Sequence, residues 1–173
     1  MDNRIVVPKL NAQVYRRGNP IQRAKVELVG QLRIKITYPD GDTVDLGVVS
    51  EKIVTLAAIN ALVGVFQGGS ATVIQNFKYH ASGTGILSES TNDTTLGTEV
   101  ETRIAGSQTS ISPGNYETAA TLVYTSPHSI TEHGVFSQQA LGGTLLDRSK
   151  FSPVPVDVDV QLEFIYDLSV SGA

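Results

Sequence analysis

The stretch from residue 156 to residue 166 limits the possible folds more than any other, because apolar and polar side chains alternate through it. Its acidic face carries Asp157, Asp159 and Glu163, and the opposite face would be wholly apolar, with Val156, Val158, Val160, Leu162, Phe164 and Tyr166. Such a period of two is typical of a half-buried β-strand. Burying six apolar side chains, at ~1.5 to 3 kcal/mol each, contributes on the order of 10 kcal/mol before ordering entropy is subtracted. We expect this strand to anchor a β core.

Shorter stretches with the same alternation predict about eight strands in all. Residues 31–49 predict a hairpin that turns at residues 39–42, and its buried face would hold Leu32, Ile34, Ile36, Tyr38, Val44, Leu46 and Val48. Further strands are expected at residues 77–81, 98–104, 115–125, 130–137 and 144–151. The last two would be joined through Gly142 and Gly143 and would lie beside the 156–166 strand. Many short strands with one helix predict a mainly β protein, a β-sandwich or jelly-roll-like fold.

One helix is expected, over about residues 50–67. Ser50 would be its N-cap and Gly68-Gly69 its end, and its sequence is apolar nearly all the way round. A helix with so little polar surface is either packed between layers or shared with a neighbouring subunit.

The length of 173 residues suits a single domain. We expect an extended, basic N-terminal arm over residues 1–25 and one β-sandwich domain over residues 26–173. The chain contains no cysteine, which excludes disulfides and thiolate metal sites. Neither an apolar leader nor a run of ~20 apolar residues is present, so we expect a soluble protein that does not associate with membranes.

Charge is divided unevenly along the chain. Residues 1–35 carry eight bases and two acids, a net charge of +6, whereas residues 36–173 carry a net charge of −10. A basic front on an acidic body suggests an arm that binds an acidic surface, of a partner protein, of a neighbouring copy of the same body or of nucleic acid, although a solvated basic face would give the same pattern. Nucleic acid is not an expected partner, because only Tyr15 is interleaved with the bases. The predicted partner-binding residues of the arm are Arg4, Lys9, Arg16, Arg17, Arg23 and Lys25.

Residues that could carry chemistry are few. His128, Glu132 and His133 would have to converge to hold a metal, and their spacing matches no standard ligand motif. Asp157 and Asp159 share a predicted strand face and could hold a calcium ion with Asp167, but a strand with one wet face looks the same. Residues 82–85, SGTG, lack the ending of a phosphate-binding loop, and no Gly-x-Ser-x-Gly motif occurs. We expect no catalytic residues, no cofactor and no metal.

Three segments in order resemble small structural proteins of tailed bacteriophages. They are residues 78–85 (KYHASGTG), 130–137 (ITEHGVFS) and 143–152 (GTLLDRSKFS), followed by the long alternating strand. The resemblance covers about residues 77–173 and the apolar helix before them, and it is greatest to capsid decoration (cement) proteins.

This resemblance implies a non-enzymatic virion protein, made in the host cytoplasm and seated on the outer capsid surface. The implied partners are the major capsid protein of the same virion and further copies of the chain, most often in a homotrimer. The alternative is a tail, baseplate or fibre subunit that binds a host-surface glycan. The motif residues would be structural: Gly83 and Gly85 in a tight bend, Gly134 at a close backbone approach, and Phe136 and Phe151 in the core. Asp147 and Arg148 would either pair with neighbours or be solvated.

Overall fold

The computed structural model describes residues 15–16, 19–20, 26–52 and 54–172. Two short strands, β1 (Tyr15–Arg16) and β2 (Asn19–Pro20), pair with each other in antiparallel orientation. The remaining elements are β3 (Val26–Thr37), β4 (Thr43–Lys52), α1 (Leu56–Phe66), α2 (Thr72–Gln75), β5 (Tyr79–Gly83), β6 (Glu99–Ala105), β7 (Ser107–Ser112), β8 (Asn115–Val123), β9 (His128–Phe136), β10 (Leu145–Val156) and β11 (Gln161–Gly172). None of the described helices is long and apolar enough to cross a membrane.

Two antiparallel sheets form the body of the protein. A five-stranded sheet has the order β4-β3-β11-β8-β7, and a four-stranded sheet has the order β10-β9-β5-β6. Their facing sides share one apolar core, to which both sheets contribute buried side chains such as Leu32, Leu122, Ile130, Val135 and Phe164. The expectation of a mainly β sandwich is confirmed, whereas the jelly-roll detail stays a prediction.

The hairpin of β3 and β4 has the predicted turn but only half of the predicted buried face. Leu32, Ile34 and Ile36 are buried, as expected. The prediction for the returning strand was wrong, because its apolar side chains Val44, Leu46 and Val48 are exposed, as is Tyr38. Two bulges account for part of the difference: β4 contains two extra residues, at positions 46 and 49, which have no partner on β3, so Val48 comes opposite Arg33. Val44 lies opposite the buried Ile36 and is nevertheless exposed, at the edge of the sheet. Each extra residue interrupts the alternation, so the pattern does not carry through the strand.

The alternating stretch 156–166 is divided between two strands rather than forming one. β10 ends at Val156, residues 157–160 form the connection, and β11 begins at Gln161. Asp159 has a φ of 64° in this turn and Val158 is exposed, so the prediction that both lie on a continuous strand was wrong. Leu162, Phe164 and Tyr166 are fully buried, and β11 is the central strand of its sheet. Its expected role as the anchor of the core is confirmed.

The connection between β9 and β10 is as predicted, since Gly142 and Gly143 have φ values of 90° and 78°. The expected neighbour of these strands was wrong, however. β9 pairs with β5 and β10, while β11 pairs with β3 and β8 in the opposite sheet. The hairpin therefore faces β11 across the core, where the His133 ring stacks on Phe164 with 4.5 Å between ring centroids.

The helix begins five residues later than the sequence suggests. Ser50 lies in β4 opposite Leu32, so it does not cap a helix. The N-cap of α1 is Thr55, whose hydroxyl accepts a hydrogen bond from the Ala58 N–H and donates one to the Leu145 carbonyl. This short helix lies beside the ends of β3 and β11, where Leu28 and Leu168 pack against the edge of the core.

Candidate interaction surface

The helix α1 is apolar but mostly uncovered. Its sequence, LAAINALVGVF, contains one polar side chain, Asn60, and no charged one. Only Ala58 is buried. A helix that is apolar all round is normally enclosed by other structure. Here one side of the helix packs against the described body, and the other side is exposed.

The uncovered side has an ordered arrangement of side chains, given a rotation of about 100° per residue. Leu56, Asn60 and Val63 run along its centre, and the two apolar ones are 45% and 43% exposed. Phe66, which is 80% exposed, and Ile59, which is half-buried at the edge of the core, form a flank of large side chains. Ala57 and Gly64 form the opposite flank, and the space beside the Gly64 Cα contains no atom within 4 Å of where a Cβ would stand. We call these seven residues the α1 surface.

An apolar groove of about 200 Å³ opens next to the α1 surface. It lies between the helix and the inner side of β3 and β11, and Ile59, Leu62, Leu28, Leu168 and Val170 are among its lining residues. The described side chains that line it carry no charge. Its most polar group, the Tyr116 hydroxyl, already donates a hydrogen bond to the Phe77 carbonyl. The groove can therefore accept an apolar side chain but offers nothing to orient a polar substrate.

The three residues suspected of metal binding do not converge. His128 lies at the beginning of β9 and bonds Ser126, with 3.0 Å between Nε2 and Oγ. Glu132 and His133 are adjacent in β9 and point to opposite sides of it, as successive strand residues do. Among the residues that the structure describes, no group of three or more potential metal ligands is found.

Glu132 is fully buried and accepts hydrogen bonds from the long loop between β5 and β6. The N–H groups of Gly85, Gly97 and Thr98 donate to its carboxylate over 2.8, 3.1 and 2.9 Å. Arg148, also buried, donates to the same carboxylate over 2.8 Å and to Asp93 over 2.9 Å. Arg148 is thus paired with neighbours, which was one of the two predicted alternatives, and the network fastens residues 85–98 onto the outer side of the sheet.

The protonation of this network follows from its hydrogen bonds. Burial alone would raise the pKa of Glu132, but the donors from Thr98, Gly97, Arg148 and Gly85 outweigh it and lower that pKa. Burial would likewise lower the pKa of Arg148, and the two carboxylates Asp93 and Glu132 raise it instead. Both groups are therefore held in their charged forms, which suits a structural ion pair and not a proton donor or acceptor.

A second buried polar contact joins His133 to His80 of β5. His80 Nδ1 lies 3.0 Å from His133 Nε2, and the other nitrogen of His80 lies 3.1 Å from the Thr118 hydroxyl. Burial lowers the pKa of His80 to about 3. Burial, and to a lesser extent the neighbouring His80, lowers the pKa of His133 well below 6.5. The two rings are neutral near pH 7, and their closeness was not predicted because 53 residues separate them.

Arg103 is a third buried ionic residue that the sequence did not reveal. Its guanidinium forms two hydrogen bonds with Glu99, of 2.7 and 2.9 Å, and lies 3.5 Å from the centre of the Phe136 ring. The same group donates to the carbonyls of Gln138, Ala140 and Gly142 in the β9–β10 connection. Only its position in β6 brings it to that connection, so local sequence offers no signal for this role.

The remaining candidates are either dispersed or outside the described residues. Asp167 pairs with Arg33 on the open side of the five-stranded sheet, with 3.1 Å between Asp167 Oδ2 and the nearest Arg33 nitrogen. Asp157 and Asp159 lie in the turn before β11, so the three aspartates do not form the suggested calcium site. The backbone of Arg16 belongs to β1. The other predicted arm residues, Arg4, Lys9, Arg17, Arg23 and Lys25, lie outside the described residues.

Fold and surface together define a β-sandwich with buried ion pairs and an uncovered apolar helix. Comparisons of the chain with protein-family models, with curated proteins and with solved structures found no match.

Proposed function

We propose that this chain is a non-enzymatic structural subunit of a tailed-phage virion that decorates and cements the outer surface of the capsid. The observation that supports the proposal most is the uncovered α1 surface. Exposed contiguous apolar area of this kind marks sites of association with other macromolecules. A subunit whose role is to hold an assembly together needs such a surface and does not need a reaction centre.

The buried ionisable groups support the same function. Glu132 and Arg148 satisfy each other and the backbone of one loop. The histidine pair lies in the core, where burial keeps both rings neutral. Buried ionisable groups whose partners lie in the same chain serve the fold of the body. The resemblance to decoration proteins, carried by residues 78–85, 130–137 and 143–152, adds the phage context.

The basic arm gives the proposal a second contact. Its bases, among them Arg4, Lys9 and Arg23, would bind the acidic surface of the major capsid protein. An exposed ion pair contributes only ~0.2 to 1 kcal/mol, so one arm is a weak anchor. In a homotrimer three arms act together, because the second and third bind at high effective concentration.

Localisation in the virion tests this function directly. We expect a labelled full-length chain, detected by low-resolution imaging of virions, to be distributed over the shell. Replacing the six arm bases by glutamine should reduce shell occupancy at least tenfold, because their charge would no longer attract the acidic capsid.

The control is a full-length variant in which Lys35 and Lys78 of the body are replaced by glutamine. It should occupy the shell as fully as the wild type. A label confined to the tail would contradict capsid decoration and favour a tail or fibre subunit. Equal occupancy of the arm variant and the control would show that the arm bases do not contribute to capsid binding.

A further inference from the structure

The structure also indicates what covers the α1 surface. We propose that it binds the α1 surface of a second copy of this chain, with the helices parallel around a symmetry axis. The inference rests on the proposed function in one respect, that the α1 surface is an assembly contact. It adds which surface joins the copies and how their helices are oriented.

Charge favours a second copy as the partner. The chain from residue 36 onward carries a net charge of −10, so two bodies repel each other wherever their acidic surfaces meet. Because α1 has no charged residue, two copies can meet there without placing like charges together. A basic segment such as residues 1–25, or an acidic capsid surface, would instead have to bury charges against a helix that offers them no counter-charge.

The shape of the surface favours parallel helices. The large flank, with Ile59 and Phe66, lies on the opposite side from the small flank, with Ala57 and Gly64. A rotation axis parallel to the helices brings the large flank of one copy onto the small flank of the next. An axis perpendicular to the helices would place large against large and small against small. The open space beside Gly64 is where the Phe66 ring of the neighbour would fit.

A stable interface has to extend beyond the helix. An α-helix of eleven residues is only about 16 Å long, which alone is too little for the roughly 800 Å² that each partner of a stable complex buries. The apolar surface continues across the groove from Ile59 to Leu28 and Val170. Val170, at the end of β11, is exposed and extends it further, whereas on the other side the contact is bounded by Glu27 and Glu51, which line a second cavity next to Ile59.

The chain contains no cysteine, so single cysteines can map this contact in the full-length protein. With parallel helices, Leu56 of one copy lies next to Leu56 of another, and Leu56→Cys should give a covalent dimer on mild oxidation. Antiparallel helices would separate the two thiols by the length of the helix. Val158→Cys is the control, because Val158 is 48% exposed in the turn before β11, at the opposite end of that strand from Val170. It should stay uncross-linked.

Light scattering provides an independent measurement of the same contact. We expect the wild-type chain to have a mass that is a multiple of 18.5 kDa. Val63→Asp, which places charge at the centre of the surface, and Gly64→Leu, which fills the small flank, should both shift the mass to that of the monomer. Val158→Asp should leave it unchanged. Circular dichroism would show whether each variant keeps its β structure.

A wild-type chain that stays monomeric at all concentrations would overturn the inference, and so would an oligomer that neither Val63→Asp nor Gly64→Leu affects. If the chain is a monomer and the α1 surface is nevertheless shielded from solvent, another segment of the same chain covers it, and the inference is wrong. These measurements need no virion. Oligomers that do not locate to the shell would therefore count against the proposed function alone, and monomers that do would count against this inference alone.

Discussion

The surroundings of Glu132 and the α1 surface depart from the usual distribution of side chains in opposite ways. Around Glu132 a carboxylate and a guanidinium are buried, and each is surrounded by hydrogen-bond partners from its own chain. On α1 the apolar side chains Leu56, Val63 and Phe66 are exposed, and no described part of the chain covers them.

The difference indicates a structural role for the surroundings of Glu132 and agrees with the assembly role that we propose for the α1 surface. A buried charge is tolerated only when its partners are in place, so a complete internal network indicates a structural role. Burying an exposed apolar surface against a partner is favourable, because it removes that surface from water. Disrupting the first should therefore weaken folding, whereas disrupting the second should weaken assembly and leave folding nearly unchanged.

The largest effect is expected from Arg148→Met. The change leaves Glu132 buried without its cation and also releases Asp93 and the loop carbonyls that Arg148 binds. We expect the free energy of unfolding to fall by about 3 to 5 kcal/mol, the usual cost of breaking a buried ion pair from one side. Urea denaturation followed by circular dichroism would measure it.

The matched control is Arg33→Met on the open side of the five-stranded sheet. Arg33 also bonds two carboxylates, Glu117 and Asp167, but its side chain is 38% exposed. The expected loss is about 0 to 1 kcal/mol, because exposed ion pairs contribute little. Similar losses for the two variants would mean that burial does not distinguish the two networks.

These two arginines also show which features of the structure can be predicted from the sequence. Alternation located most of the strands and glycines located the β9–β10 turn, because both signals are local. Partners are not local: the donors to Glu132 are backbone N–H groups at residues 85, 97 and 98, which side-chain identity does not reveal. Ser50 was a plausible N-cap by its own sequence, and pairing with β3, some twenty residues earlier, decided otherwise. The apolar composition of α1 was visible, but which side remained open depended on the packing of both sheets.

The histidine pair should make the fold sensitive to mild acid. Both rings have a pKa below 6.5 in the folded protein, so below pH 6.5 the unfolded chain binds protons that the folded chain does not. Stability therefore falls as the pH falls. At pH 5 the loss relative to pH 7.5 is about 2 kcal/mol for His80, whose pKa in the folded protein is about 3, and His133 adds to the loss in the same direction. Urea denaturation across this pH range would measure the slope.

Two variants assign that slope to its source. His80→Gln combined with His133→Gln should remove most of the dependence between pH 7.5 and pH 5. His128→Gln should retain it, because His128 lies at the beginning of β9 and its ring is bonded to Ser126 near the surface. A wild-type chain with constant stability over this range, or a slope that disappears with His128, would show that the buried rings are not responsible.

The smallest effect on folding is expected from Phe66→Ser, although Phe66 is among the largest side chains of the protein. Its ring is 80% exposed, so at protein concentrations where the chain is monomeric the free energy of unfolding should change by less than about 0.5 kcal/mol. Phe136→Ala, at a fully buried ring beneath Arg103, should cost about 3 to 5 kcal/mol. At higher concentrations the wild type should gain stability through association, and Phe66→Ser should gain less. If Phe66→Ser destabilised the monomer as strongly as Phe136→Ala, α1 would belong to the core, and its apolar side chains would need no partner.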